Sequence, residues 1–376
     1  LADAADIAAG ITLGRKARDK ELIEVPYLRV ANVQDGHLLL DDLKTIAATR
    51  KEIEKWALKD GDLLLTEGGD LDKLGRGASW REQVPLCIHQ NHIFRVRLPE
   101  DRYDPDYVSF QIGSPYGKAY FLAHAKKTTG IASINQRVLG AFPLVSPPID
   151  EQRRIAARLR AQLAEVQTAQ QAVRAQLLEV SRLADGIVME SVRNHRVTGC
   201  SLGDVLTEVK QGIGSHWADY PVLGATRDGL APAKEAPGKQ APKYKPAFPG
   251  TVFYNPMRIL IGSIAFVDED DAPGITSPDY VALQGKPNAV DSRWFYYWLR
   301  SPLGVQCINS LARGAVRERM LFNRLAEGGI DLPEFSVQQR ASAALKELRP
   351  LRAALETQLC EIDLFPQKIL AQAFEN

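Results

Sequence analysis

Several stretches carry residue types that could do chemistry, and each stops short of a working set. From Gly113 through Gly117 and Lys118 to Ala119, a lysine follows glycines as in a phosphate-cradling loop. The stretch is one residue short, and alanine stands where a hydroxyl would hold Mg²⁺. Gly212 and Gly214 lack the third glycine of a dinucleotide fingerprint. Asn255, Pro256 and Met257 lack the second proline and the aromatic of an amino-methylating loop. Pro278 and Asp279 with Gln284, Gly285 and Lys286 have glutamine where a nuclease core needs a metal-binding acid. His89 and His92 fall three apart on an expected strand, so their rings point to opposite faces and share no metal. These stretches read as structural turns and packed or solvated histidines, and no catalytic constellation emerges.

Binding chemistry is better supported. Basic and polar loops sit beside glycines in two parts of the chain. The first set is Lys73, Arg76, Lys126, Lys127, Thr128, Thr129, Asn135 and Arg137. The second is Lys210, Gln211, Lys243, Arg313, Arg317, Arg319 and Asn323. Arg and Lys neutralise phosphates, while Asn, Gln and Arg pair bidentately with base edges. Any one of these residues reads equally well as solvated loop charge. The same loop is basic in both parts, however, which favours a double-stranded DNA surface.

The elements that must position these loops fall into a repeated plan. Residues 1–145 read as mixed α/β. Strands are expected over 7–13, 27–33, 63–66, 87–96 and 142–145, with helices over 49–58 and 105–122. A glycine-rich loop is expected over 67–77. Residues 198–332 repeat the plan. Asp104 to Ser114 matches Asp291 to Ser301 at an offset of 187, and Gln152-Arg153 aligns with Gln339-Arg340 at the same offset. The second part carries an insert over 231–249, with prolines and Lys234, Lys239, Lys243 and Lys245, read as an extended basic loop.

Each part is followed by a heptad-patterned helix. Asp150 offers the N-cap of the first. Leu159, Val166, Val173, Val180 and Ile187 form one column, with Leu163 and Leu177 in the interleaved one. Some forty residues at about 1.5 Å each give a rod of roughly 60 Å. The second helix repeats the beat at Leu348, Leu355, Ile362 and Ile369. Pro350 and Pro366 lie inside it, so a kink or a late start near Leu351 and a break near Phe365 are expected. Packed antiparallel, two such rods would set the domains at opposite ends about a pseudo-twofold axis.

Composition narrows the class. The chain has 47 Lys and Arg against 46 Asp and Glu, a net charge of +1, so any DNA surface depends on local clustering. Cys87, Cys200, Cys307 and Cys360 form no CxxC pair and suggest reduced thiols in a cytoplasmic protein. No apolar run is long enough to span a membrane.

The phrases SPPIDEQRRIAARL and LPEFSVQQRASAAL open the two helices, TTGIASINQRVL precedes the first, and PQKILAQAFEN ends the chain. Together with the duplicated plan, they resemble the specificity subunit of Type I restriction–modification enzymes over nearly the whole chain. Gln338 departs from the resemblance, standing where Glu is expected in the second phrase. The fold the resemblance implies is α+β, with internal duplication. Target-recognition domains occupy 1–147 and 197–333, and spacer helices over 148–196 and 334–376 pack as an antiparallel coiled coil. Each domain would read one half of a bipartite DNA site. The helices would dock two DNA adenine methyltransferase subunits, to which restriction and motor subunits can add. The chain itself would bind no cofactor; S-adenosylmethionine and ATP with Mg²⁺ belong to those partners. Two other readings are a non-catalytic coiled-coil scaffold and a subunit of a related nuclease-free modification or phage-defence complex.

Overall fold

The computed structural model describes residues 1–14, 21–70, 74–128, 131–312 and 319–374. Two units emerge, Leu1–Ala172 with Leu359–Asn376, and Val173–Gln358. In the first, four antiparallel strands run in the order Asp6–Ala9, Ile93–Arg97, Leu63–Thr66, Gly77–Ser79. Leu63 and Leu65 pack with Phe94 and Val96 against the helical layer, while Leu64 turns the other way onto Leu28 and Trp80. The leucine run is thus the strand expected over 63–66, and it is buried on both faces.

Other boundaries move. The 7–13 strand shortens to Asp6–Ala9, and the 27–33 strand is Ile23–Leu28 followed by a 3₁₀ turn over Val30–Asn32. The strand expected over 87–96 is two, Ile88–His89 and Ile93–Arg97, separated by a turn. The helix expected near 49–58 is Arg50–Trp56. The Thr49 hydroxyl accepts from the Glu52 amide, and the Glu52 carboxylate accepts from the Thr49 amide. Residues 142–145 form no strand. At Val145 side chains take the backbone groups: its amide donates to Gln111 Oε1 at 3.0 Å, and its carbonyl accepts from Tyr107 and Gln111.

The helix expected over 105–122 is a pair, Pro105–Gly113 and Pro115–His124. Pro115 supplies no N–H, so the first helix ends and the Ser114 hydroxyl caps the second. A Cβ on Gly117 would lie 2.1 Å from the Ile112 carbonyl oxygen. This is why a glycine stands before Lys118: it lets two helices turn tightly, and it cradles no phosphate. The second unit repeats the device with Ser292–Arg300, Pro302–Leu311 and Gly304, whose Cβ would meet the Trp298 carbonyl at 2.3 Å. Its sheet repeats the order and antiparallel pairing, with Leu206–Glu208, Val281–Gly285, Val252–Tyr254 and Ile264–Phe266. The 231–249 insert is more ordered than an extended loop. Lys245–Ala247 pairs with Gly274–Thr276, and Lys245 Nζ donates to the Tyr280 carbonyl.

The first long helix runs Ile149–Arg193 and the second Phe335–Asp363. Asp150 is not the cap; the helix starts one residue earlier, and Asp150 joins Glu151 in the acidic first turn. The second helix neither starts late nor stops at Pro350. That residue is exposed, so water can reach the Lys346 carbonyl that loses its donor. The break near Phe365 is present, and a terminal helix covers Phe365–Phe374. In the first unit Leu159 and Ile362 are buried, and Leu163, Val166 and Ile369 partly so. In the second, Val173, Val180 and Leu355 are buried, and Leu177, Ile187 and Leu348 partly so.

One alignment is corrected. Gln152, fully buried, accepts from the Asp104 amide at 3.0 Å and donates to the Arg102 and Pro147 carbonyls. The residue that does the same in the second unit is Gln338, which accepts from the Asp291 amide at 3.0 Å and donates to the Ala289 and Pro333 carbonyls. Gln338, not Gln339, is therefore the counterpart of Gln152, and the offset at the helix start is 186. Gln338 replaces no glutamate.

Gly117→Ala and Gly304→Ala should each destabilise their own unit by about 1–3 kcal/mol, the usual range for overpacking. Denaturant unfolding midpoints would report this, and unchanged midpoints would show that the helix turns are not tight.

Candidate nucleic-acid interface

In the first unit, Lys126–Thr128 and Ile131–Ser133 form a two-stranded ribbon that adds to Gly68–Gly69. The approach is close, because a Cβ on Gly68 would sit 2.6 Å from the Ala132 carbonyl. Lys126, Lys127 and Thr128 are all exposed. The chain then turns into the short helix Gln136–Gly140, on which Arg137 is exposed. Asn135 is its N-cap, its Oδ1 accepting from the Val138 amide at 2.9 Å. That oxygen is committed to the fold, so Asn135 is a weaker base-reader than its type suggests. Arg76 lies on the other side of the Leu63–Thr66 strand end; its carbonyl accepts from the Thr66 amide and its Nη1 donates to Gln34. Lys73 and Thr129 lie outside the described residues.

In the second unit, Lys210 and Gln211 follow the Leu206–Glu208 strand and are exposed. Gly212 rests on the backbone of residues 242 and 243, where a Cβ would come within 2.8 Å of Lys243 Cα, and the Ile213 amide donates to the Tyr244 carbonyl. The fold therefore brings Lys210, Gln211 and Lys243 together from stretches far apart in sequence. Lys210 lies 3.5 Å from Glu208, and Arg319 lies 3.6 Å from Asp279. Asn323 is exposed on Phe322–Leu325, without a contact that joins it to that group. Arg313 and Arg317 lie outside the described residues.

Pairing sorts the cations. Among the described residues, no ion pair holds Lys126, Lys127, Arg137 or Lys243, so these are open to phosphate. Arg76, Lys210 and Arg319 already have partners. Sequence reading passed over Trp217 and Tyr220, which line a hollow of about 420 Å³ with Lys234 and Pro237. Aromatics beside glycines and lysines were the available signal. Lys245, on the edge of this group, serves the fold; burial is the main influence holding its ammonium below the usual lysine range.

The near-miss motifs resolve as structure. Asn255 Oδ1 accepts from the Met257 amide in a turn, Lys286 Nζ donates to the Gly203 and Asp204 carbonyls, and Gln284 donates to Thr251. His92 is exposed and paired with Glu67 at 2.6 Å. His89 is buried, its Nδ1 3.0 Å from the Ile93 carbonyl. They sit on a strand and in the turn after it, not on one strand. Among the described residues, no group of His, Cys, Asp and Glu could hold a metal ion.

Both units repeat one sheet order and one helix pair, and each presents exposed cations. The chain is 27% identical over 170 residues to the Type I restriction enzyme EcoKI specificity subunit of Escherichia coli K12, covering 45% of this chain and 36% of that protein. It is 23% identical over 171 residues to the StySPI specificity subunit of Salmonella potsdam, covering 45% and 37%. The match thus spans little more than a third of the length of these curated relatives. No protein-family model matches. A solved chain, described as the structural basis of complex assembly and conformational transition of the type I R-M system, superposes with a TM-score of 0.63. It is 17% identical and covers 99% of this chain and 97% of that one, a likeness of fold. The chain is thus similar in sequence, over 45% of its length, to Type I specificity subunits, the family that the sequence resembles.

His89 carries a pH signature. Burial, aided by Arg95, holds its imidazole down at about 4, from an ordinary 6.5. The ring is neutral in the fold, so its contribution to stability is complete above pH 6.5. That contribution is lost as pH falls from 6.5 toward 4, up to about 3 kcal/mol. His89→Asn should flatten this limb of the first unit's stability curve; an unchanged limb would place the proton elsewhere.

Proposed function

We propose that the chain is the DNA-specificity subunit of a Type I restriction–modification system. Each unit's basic loops read one half of a bipartite site. The two long helices pack as an antiparallel coiled coil about a pseudo-twofold axis, set the spacer and dock two adenine methyltransferase subunits. Restriction and motor subunits can join that assembly. S-adenosylmethionine and ATP with Mg²⁺ act on those partners, and this chain contributes recognition without catalysis.

The observation that carries the reading is the repeat itself. The same sheet order, the same helix pair and the same glutamine at the root of a long helix occur in both units. Each unit has its own exposed cations. Two similar readers on one chain suit a duplex whose two half-sites are reached from successive major grooves. Among the described residues no helix is long and apolar enough to cross a membrane.

Lys126→Ala with Lys127→Ala should weaken DNA binding by a similar factor on all sequences. It should also lower the slope of log affinity against log salt by about one for each phosphate that is no longer neutralised. A titration series across salt concentrations measures this. An unchanged slope would mean that the ribbon does not face DNA.

A further inference from the structure

The ion pairs of the two units include a three-cornered cluster that the recognition loops do not use. In the first unit Asp106, on the helix Pro105–Gly113, is gripped by Arg81 at 2.6 Å and by Arg160 of the long helix at 2.9 Å. The same corners in the second unit are Asp268, Arg293 and Lys346, at offsets of 187, 187 and 186. There the charges of the two domain corners are exchanged. Fully buried Asp268 pairs with Arg293 on the helix Ser292–Arg300 and with Arg349 of the long helix at 2.7 Å. Lys346 reaches Glu269 at 3.0 Å and Asp270 at 3.1 Å. The long helix presents a cation in both units. The acid that receives it has moved from a domain helix to a domain turn.

Over the apolar packing of Ile155 and Ala156 in the first unit, and of Ala341 and Leu345 in the second, each long helix thus has polar attachments to its own domain at two levels. The glutamine grips the root, and the ion pair grips eight residues further along, roughly 12 Å. Apolar packing tolerates small rotations of a helix; two directional attachments eight residues apart oppose them and fix the angle. Both attachments lead to the start of the same helix. Gln152 accepts from the amide of Asp104, the N-cap of Pro105–Gly113, and Arg160 holds Asp106 in its first turn. The second unit does the same with Gln338 and Asp291, and with Ser342, which accepts from Arg293 Nη1.

We propose that these two-point joints, rather than helix length alone, determine which spacer length between half-sites is accepted, with Gln152, Arg160, Gln338, Lys346 and Arg349 as positioning residues. The proposal rests on the specificity-subunit reading above. A domain held at a fixed angle presents its loops at one distance and one rotation along the duplex. One base pair of added spacer moves the second half-site by about 3.4 Å along the axis and turns it by roughly a tenth of a helical turn. A domain free to pivot absorbs such a change; a fixed one rejects it.

The experiment uses the full chain assembled with its methyltransferase subunits. Base-resolved methylation in cells first gives the native split site. Binding is then measured to duplexes with that spacer and with one base pair removed or added. Arg160→Ala removes a side chain that is 58% exposed, so the fold survives. Gln152→Met removes the root attachment. The joint predicts that both variants keep the half-site sequences. It also predicts that each reduces the preference for the native spacer over its neighbours by on the order of tenfold. Equal loss at all spacers would mark a merely structural role, and an unchanged preference would remove the joint from specificity; either result overturns the proposal. Hydrogen exchange at the Asp104 amide, in the full chain alone, separates this from the parent reading. Weaker protection in Gln152→Met supports the joint even if the wild type guides no split-site methylation, a result that would count against the specificity reading alone. An unprotected wild-type amide would overturn the joint.

Discussion

The interaction on which the rest depends is a buried carboxamide at the root of each long helix. Gln152 accepts one backbone hydrogen bond and donates two, and Gln338 repeats all three. A carboxamide is suited to this because it is donor and acceptor at once. A glutamate would face two carbonyls without a proton to give. A leucine would leave three buried backbone groups unpaired, at about 1–3 kcal/mol each. The glutamine therefore couples two segments that sequence keeps apart: the turn that leads into the helix pair, at Arg102 and Asp104 or at Ala289 and Asp291, and the root of the long helix, at Pro147 or Pro333.

Around that root, charge is used in two distinct ways. Buried or half-buried pairs fasten elements together. Burial would raise the Asp268 carboxyl, but hydrogen bonds from Arg293, the Glu269 amide and Arg349 prevail and hold it down at about 2. It stays ionised wherever the protein would meet DNA. Exposed lysines and arginines without carboxylate partners are left for another molecule. A net charge of +1 conceals this division, because most of the basic residues are balanced by acids elsewhere on the chain. Local pairing says more about where a polyanion could bind than the overall sum does.

Much of the architecture was legible from residue pattern. The offset of 187 pointed to one plan used twice, and the N-caps Asp104 and Asp291 stand 187 apart, although the single helix expected after Asp104 is a pair. The strand at Leu63–Thr66 and the break at Phe365 were also in the pattern. The misses have physical causes. The pair Gln338 and Gln339 offers two registers, and only the bonds of Gln338 to Asp291, Ala289 and Pro333 choose between them. Residues 142–145 look like a strand because they are apolar, yet the hydrogen bonds of Val145 go to Gln111 and Tyr107, which no local pattern announces. Pro350 fails to stop its helix because its face is open to water. For the candidate interface, residue types located the loops. Which cations are already paired, and the approach of the loop after Lys210 and Gln211 to Lys243, depend on contacts between distant stretches.

The central claim is that two similar domains on one chain read two half-sites independently. The most direct measurement is base-resolved adenine methylation in cells carrying the methyltransferase subunits together with a chain whose residues 1–145 come from another specificity subunit. The account predicts a bipartite motif in which one half-site changes and the other is retained. A motif altered in both halves, or one that is continuous rather than split, would contradict it.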